Sequence, residues 1–124
     1  MSEKRLTMLV KEIAIVCHEA NRIYCQQIGD NSHLSWSEAK QWQRDSIIEG
    51  VMFVIANPSA LASSNHDNWL LKKEADGWKY GLVKNEATKE HPCCIPYEGL
   101  PIEQKRKDYL FVGIVKALMG LKNE

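Results

Sequence analysis

The sequence predicts an α+β protein, mainly helical, with about four helices and a small two-stranded β element between helices three and four. Three observations carry this. Apolar residues recur at helical spacing in long segments at both ends and in the middle of the chain. Glycine, proline and aspartate punctuate those segments where helices stop. Only "WKYGLVK" and "CCIPY" read as extended.

The first helix is expected over Glu3 to Gln27. Leu6, Leu9, Val10, Ile13, Cys17, Ala20 and Tyr24 form one apolar stripe, and "GD" at 29 and 30 ends it. His18, Asn21, Arg22 and Cys25 run beside the stripe as a polar line. That line either braces the later "HPCC" loop or walls a pocket. The second helix is expected to open at "SWSE", with Ser35 as N-cap and Glu38 at capping-box spacing. Its second half, "SIIEGVMFVIA", is apolar on nearly all sides and is expected to be buried on most of its surface. A strand over Val51 to Ile55 competes there, but the length of the pattern and its cap favour helix. Gly50 is placed to let another element approach. "NP" at 57 and 58 ends the helix.

A third helix is expected over Leu61 to Ala75, with Gly77 in a left-handed C-terminal turn. "WKYGLVK" alternates as a short strand, "NEATKEHP" connects, and "CCIPY", limited by Pro92 and Pro96, supplies the second extended piece. The last helix opens at "LPIEQK", with Pro101 in its first turn. Leu110, Ile114, Val115, Leu118 and Leu121 form its expected core face. No repeat or linker divides the 124 residues, so one domain over 1–124 is expected.

Lys plus Arg and Asp plus Glu are 16 each, so the formal net charge is zero. A nucleic-acid polymer calls for a basic excess, and none is expected as a partner. A small anionic ligand needs only a local patch. "MSEKRLTMLV" lacks the long apolar stretch of a secretion signal, and "VMFVIA" is too short to cross a bilayer. The expectation is a cytoplasmic protein, off the membrane, with reduced thiols. Cys17, Cys25, Cys93 and Cys94 fit no zinc spacing, and His91 beside the last pair adds little. No metal and no cofactor are expected. No nucleophile elbow, P-loop or HExxH motif is present, so no catalytic residue is named and the protein is not expected to be an enzyme.

The segment "NHDNWLLKKEADGWKYG" holds flat aromatic surface beside positive charge, which suits a base with anionic phosphates. On the third helix His66, Trp69 and Lys73 fall on one face. Either Trp69 is interior packing, or it stacks a base while Lys72 or Lys73 meets phosphate. Trp78 and Tyr80 share a strand face and favour core packing, with Tyr80 at a rim. In "KRKD", Arg106 is the candidate phosphate partner. Asn21 and Arg22 complete the candidate ligand-binding set.

In order along the chain, "CHEANRIYC", "WSEA", "GV", "HDNW", "DGWKYG", "KEHPCCIPY" and "LPIEQKRKDYLF" resemble the RyR domain, found in tandem in ryanodine receptors and as single copies in bacteria and their viruses. The resemblance spans roughly Ile13 to Ala117. It implies a compact helical unit with short strands that associates in pairs about a twofold axis. It also implies an adenine-nucleotide groove between the pair, with Trp69 at the ligand, His66 and Lys73 a turn to either side, and Lys105 and Arg106 near by. This chain holds one repeat, so a composite groove needs a second copy and a homodimer is expected. The functional expectation is non-catalytic binding of a nucleotide or nucleotide-derived signal, for sensing or for sequestering a defence signal. The alternative is a protein-interaction module with an aromatic docking face.

Overall fold

A computed structural model describes residues 1–121 of the chain. Four helices, α1 (Glu3–Gln27), α2 (Gln41–Ala56), α3 (Ala62–Ala75) and α4 (Ile102–Met119), carry most of it. Two-residue strands β1 (Lys79–Tyr80) and β2 (Glu90–His91) and a 3₁₀ turn at Tyr97–Gly99 lie between α3 and α4, as the sequence predicts.

Helices α1, α2 and α4 enclose the core. Val10, Ile13, Ala14 and Cys17 of α1 meet Val51 and Val54 of α2 and Val112 and Val115 of α4. Helix α3 packs on α4 and α2. Gly50 does admit a neighbour: a Cβ there would lie 3.0 Å from the Phe111 ring of α4. The Tyr24 hydroxyl donates to the Glu103 carbonyl at 3.2 Å and ties α1 to the start of α4.

Several expectations need correction. The second helix starts at Gln41, not at Ser35. The Ser35 hydroxyl does reach the Glu38 carboxylate at 2.8 Å, but it closes only a single turn. Lys40 is then extended (φ −65°, ψ 148°) and becomes the N-cap of α2. Helix α2 is less enclosed than its composition implies: only Val51 and Val54 are buried, and Met52 faces solvent. On α4, Val115 is buried and Ile114 packs beside it as expected, but the core face is rotated toward Val112, with Phe111 against it, while Leu118 is exposed. The stripe on α1 buries from Val10 onward, and Leu6 is outside it. The second strand is Glu90–His91 rather than "CCIPY". It pairs parallel to β1, Lys79 opposite Glu90 and Tyr80 opposite His91. Pro92 supplies no N–H and ends the pairing.

Helices α1 and α3 end in the same way. In each, a left-handed glycine, Gly29 or Gly77 (both φ +88°), turns the chain back. The next residue's N–H then reaches the carbonyl five residues earlier, Asp30 to Cys25 at 2.8 Å and Trp78 to Lys73 at 2.9 Å. The glycine N–H bonds three residues back, to Gln26 and Glu74. This is the Schellman arrangement, and it brings together the side chains of the two residues joined by its longer bond.

Candidate functional site

The turn after α3 builds a cluster. It sets the buried Trp78 against Lys73, whose Nζ lies 4.8 Å from the Trp78 ring centre. The same ammonium lies 4.5 Å from the ring of Trp42, in the first turn of α2, and 5.9 Å from that of Trp69. Three tryptophans thus surround one cation. The indole N–H of Trp78 is held by the Asp76 carboxylate at 3.3 Å. Burial, and then the nearby Lys84, lower the pKa of Lys73 from its ordinary value. Lys84 also stands over Trp42, at 5.9 Å.

Trp69 is stacked on His66, ring centres 5.5 Å apart and planes at 29°. His66 is buried, and its Nε2 lies 2.7 Å from the Ile95 carbonyl. A carbonyl only accepts, so Nε2 carries a proton. The other nitrogen, Nδ1, lies 3.7 Å from the Asp108 carboxylate, which also accepts from the Asn65 amide at 3.2 Å. Burial raises Asp108 to about 6, against the opposing pull of His66 and the Asn65 bond. His91 also meets Trp69, edge-on at 5.2 Å. Its Nδ1 accepts from the Cys93 backbone N–H at 2.9 Å, and burial lowers it to about 4, so it is neutral near pH 7. Tyr97 lies 6.1 Å from His66, with Lys105 Nζ 5.4 Å above the tyrosine ring.

Of the residues singled out from the sequence, His66, Trp69, Lys73 and Trp78 come together here. Lys72 points elsewhere and pairs with Glu49 of α2 at 3.0 Å. Tyr80 does not share Trp78's environment. The strand begins only at Lys79, so the alternation fails, and Tyr80 is half-exposed. Arg106 is exposed on α4; its neighbour Lys105 is the one that reaches the aromatic edge. Asn21 and Arg22 lie on α1, which packs on α2 and α4, and Arg22 pairs with Glu19 at 3.1 Å. The polar line of α1 does not brace the "HPCC" loop: His18 Nε2 bonds the Leu34 carbonyl at 2.7 Å, in the segment leading to α2.

Trp42, Lys84, His91 and Tyr97 were not singled out as site residues. Trp42 sits 27 positions before Trp69, and nothing in its local pattern marks it. His91 and Tyr97 stand within the "HPCCIPY" motif, but their role depends on where that loop lands.

Three of the thiols sit where burial disfavours the thiolate. Burial raises Cys17 to about 12 and also raises Cys93 and Cys94 above their ordinary value. Activation requires the reverse shift. A groove of about 190 Å³ beside α3 is lined by Ala60–Ser63, Tyr97, Tyr109, Val112 and Lys116, away from the tryptophans. No helix among the described residues is long and apolar enough to cross a membrane.

The family model of the RyR domain matches residues 54–122, from the last turn of α2 through α4. That span holds Trp69, Trp78, His91 and Tyr97 and leaves Trp42 outside. It covers more than half of the sequence, and the chain belongs to the RyR domain family.

Proposed function

We propose that this protein binds a nucleotide or nucleotide-derived small molecule and does not transform it, for sensing or for sequestering a signal. The observation that carries the reading is the placement of Lys73 and Lys84 over the rings of Trp42, Trp69 and Trp78. A base needs a flat apolar face and its phosphates need cations, and here both are within one side chain's reach. One face of Trp69 is already covered by His66, so the more exposed Trp42 is the better base platform. The formal neutrality of the chain fits a small ligand better than a polymer.

The groove is read as shared between two copies. Leu82 and Val83, between the strand and Lys84, are among the most exposed apolar residues of the chain. Such residues at the rim of a charged aromatic cluster fit a self-complementary contact about a twofold axis. The same two residues also favour the second reading, an interaction module that docks another protein on this rim.

Isothermal titration against a panel of mono- and dinucleotides, with sedimentation velocity in parallel, separates the two. Saturable binding by a dimer, weakened in Trp42→Ala, supports the proposal. A monomer that binds none of the panel at millimolar concentration overturns it. Mass spectrometry of small molecules carried through purification then names the ligand.

A further inference from the structure

We propose that Cys25, Asp30 and His33 form a binding site for a zinc-class divalent cation at the end of α1. The sequence reading expects no metal, because the four cysteines fit no familiar zinc spacing. The fold nevertheless gathers the three donor atoms within 4.8 Å of one another.

The turn after α1 is responsible. The bond from the Asp30 N–H to the Cys25 carbonyl, at 2.8 Å, makes these two the facing pair of the Schellman arrangement. That pair is commonly an apolar contact. Here it is a fully buried thiol facing a carboxylate. The carboxylate is oriented: its Oδ1 accepts from the Ser32 N–H at 3.0 Å and from the Ser32 hydroxyl at 2.6 Å. Its other oxygen, Oδ2, is turned to His33 Nε2 at 3.4 Å.

That separation suits a tetrahedral ion. Metal–nitrogen and metal–oxygen distances of about 2.0–2.2 Å place a tetrahedral N···O edge at roughly 3.4 Å. A metal–sulfur distance of about 2.3 Å sets the edge from sulfur at roughly 3.6 Å, which a small movement of the half-exposed Asp30 and His33 side chains supplies. Cysteine with histidine and one carboxylate favours zinc over calcium or magnesium, which prefer all-oxygen shells. Three protein ligands leave the fourth position to water. The hydrogen bonds from Ser32 hold the carboxylate in place for the ion. The Asp30 carboxylate favours positive charge at His33, while Lys107 of α4, and more weakly Lys84 and His18, oppose it.

The bound ion would pin the segment 28–40 to α1. His18 already holds that segment at Leu34, and it leads directly into α2 and Trp42. The three ligands are not members of the aromatic cluster, and the proposal does not depend on the function proposed for that cluster.

Cobalt(II), added to the metal-free 124-residue protein, is the probe. A cobalt–thiolate charge-transfer band with intense visible bands of tetrahedral type is expected at one equivalent, bleached by added zinc. The band should persist in the double variant Cys93→Ser/Cys94→Ser and vanish in Cys25→Ser. Because Cys25 is buried and its replacement can unfold the chain, the half-exposed His33→Ala is the second arm, and it should lose the tetrahedral bands while circular dichroism stays native. No thiolate band in the wild-type protein, or a band that survives His33→Ala unchanged or disappears with Cys93 and Cys94, overturns the proposal.

Discussion

The ammonium of Lys73 lies 4.5 Å from the centre of the Trp42 ring and 4.8 Å from that of Trp78, two residues 36 positions apart in sequence. One helix end makes this possible. Gly77 turns the chain so that Trp78 folds back on Lys73, and α2 brings Trp42 from the other side. A charge held against three aromatic rings is partly stripped of water, which is why its pKa falls. It is also well placed to exchange its ring contacts for an anionic group.

Trp42→Ala should weaken nucleotide binding by about 1–3 kcal/mol, or one to two decades in Kd, through lost stacking. Trp42 is more than a third exposed, so the melting temperature should change little. Trp69→Ala should lower both affinity and melting temperature, because its ring also covers the buried His66. Calorimetric titration and thermal scans on the two variants check this. Equal destabilisation with intact binding in both would assign the tryptophans to packing alone.

Lys73→Met keeps the length and apolar stem of the side chain and removes its charge. Nucleotide affinity should fall most at low salt, and the gap to the wild-type protein should narrow as salt screens the wild-type contribution. Stability should be unchanged or slightly higher, since a partly desolvated charge is removed. Titration at two ionic strengths reads the first effect and urea unfolding the second. A gap that stays constant with salt would count against a phosphate contact.

Asp108→Asn should alter the pH dependence of stability. Asp108 is raised from 3.8 to about 6, so between these values the folded chain holds a proton that the unfolded chain has lost. Its contribution to stability therefore falls as pH rises through that window. His91 is lowered from 6.5 to about 4, so there the unfolded chain holds the extra proton and stability rises with pH. The two slopes oppose each other. Removing Asp108 should leave a steeper climb in stability from pH 4 to 6 than the wild-type protein shows. Urea midpoints across this range check it, and parallel curves would mean that Asp108 holds no proton there.

Gly81→Ala should destabilise by about 1–3 kcal/mol, the usual scale of overpacking. A Cβ at Gly81 would lie 2.6 Å from the Glu90 Cβ, where the chain after β1 crosses β2. Gly50→Ala should be close to neutral. Its Cβ would press on the end of the Phe111 ring, at 3.0 Å, with Asn65 Oδ1 at an ordinary 3.9 Å, and the gain in helix propensity of about 1 kcal/mol offsets the crowding. Denaturant titration of the two variants should therefore rank them clearly apart. Equal costs would contradict the tight crossing at Gly81.

The extents of α1 and α3 were legible in the sequence, because each has an apolar or aromatic face in register with the helical repeat and ends at a glycine that takes the left-handed turn. The sequence also determined the His66–Trp69–Lys73 face, since three side chains on one helix need no tertiary information to align. The start of α2 was not legible. Ser35 and Glu38 make their local bond, but continuing the helix through Lys40 depends on what α2 packs against. The same holds for the rotation of α4 toward Val112 and for the slip of β2 from "CCIPY" to Glu90–His91, both set by neighbours far away in the chain. Only the tertiary structure brought Trp42 and Lys84 to Lys73 and set Asp30 and His33 against Cys25. Helix periodicity fixes which residues share a face. It carries no information about which face of another element will be brought against it, because that is decided by the packing of the whole core.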